Sequence, residues 1–281
     1  MMRSRYFAAL GPAGFHRVHY TDWGDAANPR VVICVHGLTQ TGRDFDPLAS
    51  ALSDGWRVIC PDVVGRGRSD WLADGSGYTY PQYMADMAAL IARADVGEVD
   101  WVGTSMGGLV GMLLAALPGS PIRRLVLNDI GAFVPKQGLE RIAGYVGRDE
   151  RFATFEDFVA AYREQRRTFG ELPERDWWEL ARHNHRVHEN GTVGYAYDPA
   201  IAQPFRDSPL ADVDLWTTYD AVRCPILVIR GADSDILLAS TVEEMRRRGP
   251  RAATFEVPGV GHAPRLRGAA EVGAIRGFLA K

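Results

Sequence analysis

Short apolar runs punctuate the chain: Val31–Val35, Trp56–Cys60, Val99–Val102, Leu125–Asn128, Ile226–Ile229 and Thr254–Val257. Most are continuous rather than alternating. A strand covered by helices on both faces buries every side chain, so continuity predicts the interior of a parallel sheet. Between the runs lie helical patterns. Tyr83, Met84, Met87, Leu90 and Ile91 fall on one helix face, with Thr79 placed to cap the helix and Pro81 in its first turn. Thr241–Arg248 and Ala269–Leu279 carry weaker helical patterns. Strand alternating with helix predicts an α/β fold, a mostly parallel sheet of about eight strands with right-handed crossovers.

Two segments depart from this alternation. Phe15–Tyr20 is a strand-like run after the turn signal Gly11-Pro12-Ala13-Gly14, which predicts a short antiparallel hairpin at the sheet edge. From Gly131 to about Thr217 there is no convincing buried strand, and the segment is rich in charge and aromatics. Phe155, Phe158 and Tyr162 stand at helical spacing. At roughly 80 residues the segment exceeds a plain loop. It predicts a helical insertion over residues 132–216, set into a core formed by residues 1–131 and 217–281.

Composition narrows the function classes. The 281 residues suit one large domain or a domain with an inserted subdomain. Hydrophobic residues make up 46%, charged residues 24%, and net charge is −3, so bulk electrostatics gives no case for nucleic acid or membrane as a partner. No run of 18 apolar residues exists to span a bilayer, and the first ten residues lack the apolar stretch of a signal peptide. The three cysteines, Cys34, Cys60 and Cys224, read as free thiols, and a cytoplasmic location is expected.

The strongest chemical signal is Gly103-Thr104-Ser105-Met106-Gly107, directly after Val99–Val102 and before the helical run Leu109–Leu117. This is the strand–turn–helix setting of a nucleophile elbow. The flanking glycines are steric: on so sharp a turn, side chains two positions away would collide with the backbone. A serine hydroxyl needs a base. Of seven histidines, His262 lies on the glycine-rich turn Gly259-Val260-Gly261-His262-Ala263, between the last predicted strand and the last helix, where it can face the elbow. A carboxylate must orient the imidazole. Asp233 and Asp235, after the strand Ile226–Ile229, compete for that role, and spacing alone does not choose between them.

These residues resemble the α/β-hydrolase superfamily, especially its small capped esterase, lactonase and carbon–carbon-bond hydrolase branches. The order Ser105, acid, His262 is the order that family uses. The resemblance runs from about Phe15 to Phe278 and is weakest in the insertion. By it, Asp235-Ile236-Leu237-Leu238 matches the acid position, so Asp235 is the expected third member. The family also supplies an oxyanion hole from two backbone N–H groups. Here these are Met106, after the nucleophile, and Leu38 in His36-Gly37-Leu38-Thr39. Fixed backbone donors suit developing charge, and losing one typically costs about 3 kcal/mol in the transition state. His36 then braces its loop. The loop Asp62-Val63-Val64-Gly65-Arg66-Gly67-Arg68-Ser69 also matches the family and lacks the Lys-Ser/Thr ending of a phosphate-binding loop.

The resemblance implies two-step acyl transfer on a small-molecule carboxylic ester or lactone, hydroxyacid-oligomer esters among them, with no metal or organic cofactor. A serine nucleophile argues against the haloalkane and epoxide branches, which use aspartate. A carbon–carbon hydrolase with the same triad is the alternative. A non-catalytic receptor or scaffold is disfavoured, because all three groups are present. Other features read blandly. His183-Asn184-His185-Arg186-Val187-His188 lacks metal-ligand spacing and reads as a polar helix end. The basic runs Arg163–Arg167 and Arg246–Arg248 read as solvated helix faces. Trp177-Trp178 either line a pocket or pack the insertion.

Overall fold

A computed structural model describes residues 2–207 and 209–281. Strands β1 (Met2–Gly11) and β2 (Gly14–Trp23) form the expected antiparallel hairpin. The chain then alternates through β3 (Val31–Val35), α1 (Asp46–Leu52), β4 (Arg57–Pro61), α2 (Tyr80–Arg93), β5 (Val99–Thr104), α3 (Met106–Ala115) and β6 (Ile122–Asn128). An insertion follows, with β7 (Phe133–Val134), α4 (Lys136–Ala143), α5 (Phe155–Gln165), α6 (Glu174–His183), β8 (His185–Val187), β9 (Val193–Tyr195), α7 (Gln203–Arg206) and β10 (Val213–Asp214). The core resumes with α8 (Trp216–Ala221), β11 (Ile226–Gly231), α9 (Ala239–Met245), β12 (Ala253–Val257) and α10 (Ala269–Leu279).

Eight strands make one sheet in the order β1-β2-β4-β3-β5-β6-β11-β12. It is parallel from β4 through β12, and β2 joins it antiparallel to β4. Alternate residues of the same strand feed opposite layers. Ile33 and Val35 pack in one hydrophobic cluster with Met87 and Val110, and Val32 and Cys34 pack in the other with Leu48 and Ile275. Both faces are therefore dry, which is why these strands read as unbroken apolar runs. Thr79 caps α2 through its side chain, as expected.

The insertion differs from a purely helical segment. Besides its helices it holds two small antiparallel pairs, β7 with β10 and β8 with β9. Strands of two or three residues are too short to leave a periodic signature. His183 ends α6, and His185 begins β8. The insertion has its own aromatic filling: Phe158 and Tyr162 are fully buried, and Trp178 meets Phe155 edge-on at 5.6 Å. Trp177 stacks on Phe169 with ring planes 2° apart, so the tryptophans pack the insertion. Among the described residues, no helix is long and apolar enough to cross a membrane.

Candidate active site

Ser105 stands between β5 and α3 with φ 50° and ψ −116°, a strained conformation for a residue with a side chain. The flanking glycines permit it. A Cβ on Gly103 would lie 2.3 Å from the Gly107 carbonyl oxygen, and one on Gly107 would lie 2.1 Å from that of Val35. The Ser105 N–H donates to the Asn128 carbonyl at 3.0 Å, tying the elbow to the end of β6. Met106 opens α3, so its N–H belongs to the first helical turn, where backbone donors lack helical acceptors.

His262 reaches the elbow from the loop after β12. Its Nε2 is 2.9 Å from Ser105 Oγ. The loop is held from two sides: the Asn128 amide donates to the Pro264 carbonyl at 2.8 Å, and Thr168 of the insertion donates to the His262 carbonyl at 2.9 Å. On the other side of the ring, His262 Nδ1 is 2.7 Å from a carboxylate oxygen of Asp129. Asp129 follows β6, and its side chain is fully buried. It accepts from the Gly231 N–H at 2.7 Å and the Ser234 hydroxyl at 2.6 Å. With Asp129 oriented in this way, the Nδ1 proton is directed to Asp129, leaving Nε2 free to accept the serine proton.

The expectation of Asp235 is thereby corrected. Its carboxylate forms a two-pronged pair with Arg141 of α4, one contact being 2.8 Å, and Asp129 holds the place beside His262. The physical reason is sheet order. β6 lies between β5 and β11, so the end of β6 adjoins the elbow directly. Asp233 likewise makes no side-chain hydrogen bond to His262; its N–H donates to the Val260 carbonyl at 2.9 Å. The available signal for Asp129 was a carboxylate immediately after the apolar run Leu125–Asn128.

Leu38 lies on the loop after β3 and lines the same cavity as Ser105. His36 braces this loop: its Nδ1–H donates to the Gly37 carbonyl at 2.7 Å, and its Nε2 accepts from the Val63 N–H at 2.9 Å. Burial pushes the His36 pKa below the usual value, consistent with a neutral bracing ring. Asp62 organises the neighbouring glycine-rich loop by accepting from the N–H groups of Gly42 and Arg68. Buried Arg66 closes the assembly by donating to the carbonyls of Leu38 at 2.9 Å and Val64 at 2.7 Å.

Two cavities meet at Ser105. One, of about 630 Å³, is walled by apolar side chains including Met106, Ile130, Val134 and Phe205. The other is small and more polar, bounded by His262, Arg141, Gln165, Arg166 and Thr168 together with Ile142 and Phe169. Arg166 corrects a second expectation: of the run Arg163–Arg167, this residue is buried rather than solvated. Helix α5 ends at Gln165, and Arg166 leaves helical geometry with φ −114°.

The hydrogen-bonded series of hydroxyl, imidazole and buried carboxylate, on a strand–turn–helix elbow, is the equipment of acyl transfer. A family model described as the alpha/beta hydrolase fold matches residues 30–268. The chain belongs to the α/β-hydrolase family. A 3-hydroxybutyrate-oligomer hydrolase of Cupriavidus necator is 50% identical over 273 residues, covering 93% of this chain and 92% of that protein. An esterase of Mycobacterium tuberculosis is 30% identical over 80% of this chain and 73% of its own. The crystal structure of an alpha/beta hydrolase from Novosphingobium aromaticivorans superposes with a TM-score of 0.88 at 37% identity, over 99% of this chain and 98% of that one. This protein is a carboxylic ester hydrolase.

Proposed function

We propose that Ser105, His262 and Asp129 form the catalytic triad of this α/β-hydrolase and that its substrates are short esters of hydroxyacids. The observation that carries the triad is the continuous series Ser105 Oγ–His262 Nε2 at 2.9 Å and His262 Nδ1–Asp129 at 2.7 Å. His262 takes the Ser105 proton as the oxygen attacks the ester carbonyl. The N–H groups of Leu38 and Met106 stabilise the oxyanion. His262 returns the proton to the departing alcohol, leaving an acyl group on Ser105. Water, deprotonated by His262, then releases the acid.

The hydroxyacid class is supported by the 50% identical hydrolase of 3-hydroxybutyrate oligomers and by a cavity that joins an apolar chamber to a polar recess at one serine. Residues 132–216 act as the cap, contributing Arg141, Ile142 and Arg166 to these walls. Three free cysteines suit the reducing cytoplasm. A fluorophosphonate probe tests the triad. It is expected to label the intact protein at Ser105 and to leave Ser105→Ala unlabelled. An intact protein that takes no label defeats the proposal.

A further inference from the structure

Arg166 is 5% exposed, and no carboxylate among the described residues stands within ion-pair distance of it. Its guanidinium has two polar side-chain contacts: Gln165 Oε1 at 2.5 Å and Thr39 Oγ1 at 3.3 Å. It lies over the Tyr162 ring at 3.8 Å from the centroid. A buried cation served by neutral groups alone is costly, because it has given up water without gaining an anion. The contrast with Arg66 is informative. Arg66 is also buried without a carboxylate, but backbone carbonyls and the Tyr83 hydroxyl take its donors, and it faces no polar recess of the site. Arg166 borders the polar recess at Ser105 and His262.

Which half of an ester occupies that recess follows from the chemistry. His262 must return its proton to the departing alcohol oxygen, so the alcohol leaves on the imidazole side. His262 borders the polar recess and not the apolar chamber; Met106 borders the chamber and not the recess. The acyl half therefore belongs with the apolar walls, and the alcohol half beside Arg166. We infer that Arg166 binds a free carboxylate on the alcohol half, so that the enzyme removes single hydroxyacids from the carboxyl end of a short oligomer. Arg141 borders the same recess, but its charge is balanced by Asp235, which leaves Arg166 as the unpaired cation there among the described residues. The inference rests on the triad proposed above. In bond terms, the Ser105 oxygen–acyl bond forms, the acyl–alcohol oxygen bond breaks, and the hydroxyacid leaves with the proton returned by His262.

The experiment compares 3-(butanoyloxy)butanoate with its primary amide, 3-(butanoyloxy)butanamide, reading butanoate release. A hydrogen bond to a charged partner corresponds to roughly 10- to 100-fold in kcat/KM. The wild type is expected to favour the acid by that factor, chiefly through KM, and Arg166→Gln is expected to bring acid and amide close to parity, with Arg166→Lys recovering part of the preference. Equal turnover of acid and amide by the wild type overturns the inference. So does an Arg166→Gln variant that loses both substrates in the same proportion. Should that variant fail to fold, product inhibition of the wild type decides: 3-hydroxybutanoate must inhibit more strongly than 3-hydroxybutanamide, and equal inhibition overturns the carboxylate site. A wild type that hydrolyses neither compound nor p-nitrophenyl butyrate signals failure of the triad reading instead.

Discussion

Asp129 and Asp235 both follow neighbouring, buried parallel strands at the carboxyl end of the sheet, yet they do opposite things with their charge. Asp129 is wholly buried and receives three donors: a backbone N–H from Gly231, the Ser234 hydroxyl and the His262 ring. Asp235 is about 39% exposed and gives its carboxylate to Arg141 on α4 of the insertion. One carboxylate is fixed by the core and aimed at an imidazole. The other ties the insertion to the core: α4 approaches so closely that a Cβ on Gly138 would lie 2.8 Å from the Asp235 carbonyl oxygen. Buried donors and a fixed orientation, rather than position after a strand, mark the carboxylate that can serve a base.

The largest expected effect is at Asp129. Asp129→Asn keeps the shape but can present an amide N–H to His262, favouring the wrong tautomer. Such a change costs about 10⁴-fold in kcat in comparable triads. KM for p-nitrophenyl butyrate is expected to change little, the mark of an interaction made in the transition state. Steady-state kinetics decides. A loss below tenfold removes Asp129 from the triad.

The two carboxylates also measure what the sequence discloses. Continuous apolar runs revealed the parallel strands, because both faces of the sheet are covered. Ser105 was legible because strand, glycines and helix all act within a few residues of it. His262 was legible from its glycine-rich turn and its place between the last predicted strand and the last predicted helix. The carboxylate beside His262 was not, because its place depends on strand order. β6 and β11 are neighbours in the sheet but about 100 residues apart in the chain, and no local pattern says which borders β5. Arg166 was hidden differently. Its neighbours make a basic run of the kind usually solvated, and only the end of α5 at Gln165 turns it inward. The insertion's short strands fell below the length at which periodicity exists.

Ser234 helps to aim Asp129, with a smaller expected effect. The Ser234 hydroxyl donates to Asp129 at 2.6 Å while accepting the N–H groups of Ile236 and Leu237 at 3.2 and 3.0 Å. It links the carboxylate to the loop after β11, the loop that carries Asp235. Ser234→Ala removes one of three donors and keeps the other two. A loss of about tenfold in kcat is expected, the size of one hydrogen bond to a charged group. No change in kcat would mean that Gly231 and His262 alone hold Asp129 in place.

The smallest catalytic effect belongs to Asp235. Asp235→Asn is expected to leave kcat within about threefold of the wild type, while the lost pair with half-exposed Arg141 costs about 0.5–1 kcal/mol of stability. Burial pushes the Asp235 carboxyl upward, but the hydrogen bonds and charge of Arg141 outweigh it and hold the pKa below the usual carboxylate range. The sign of the pH effect follows. With the folded pKa below the unfolded one, the unfolded chain binds more protons in the interval between them. The stabilisation is therefore complete above the unfolded value, about 3.9, and fades as pH falls through the folded one. Thermal unfolding of the wild type and Asp235→Asn from pH 7 to 3 reads this directly. The gap in Tm is expected to stay constant near neutrality and to narrow below about pH 4. A gap independent of pH would assign the loss to packing rather than charge. A kcat loss approaching that of Asp129→Asn would dissolve the distinction between the two carboxylates.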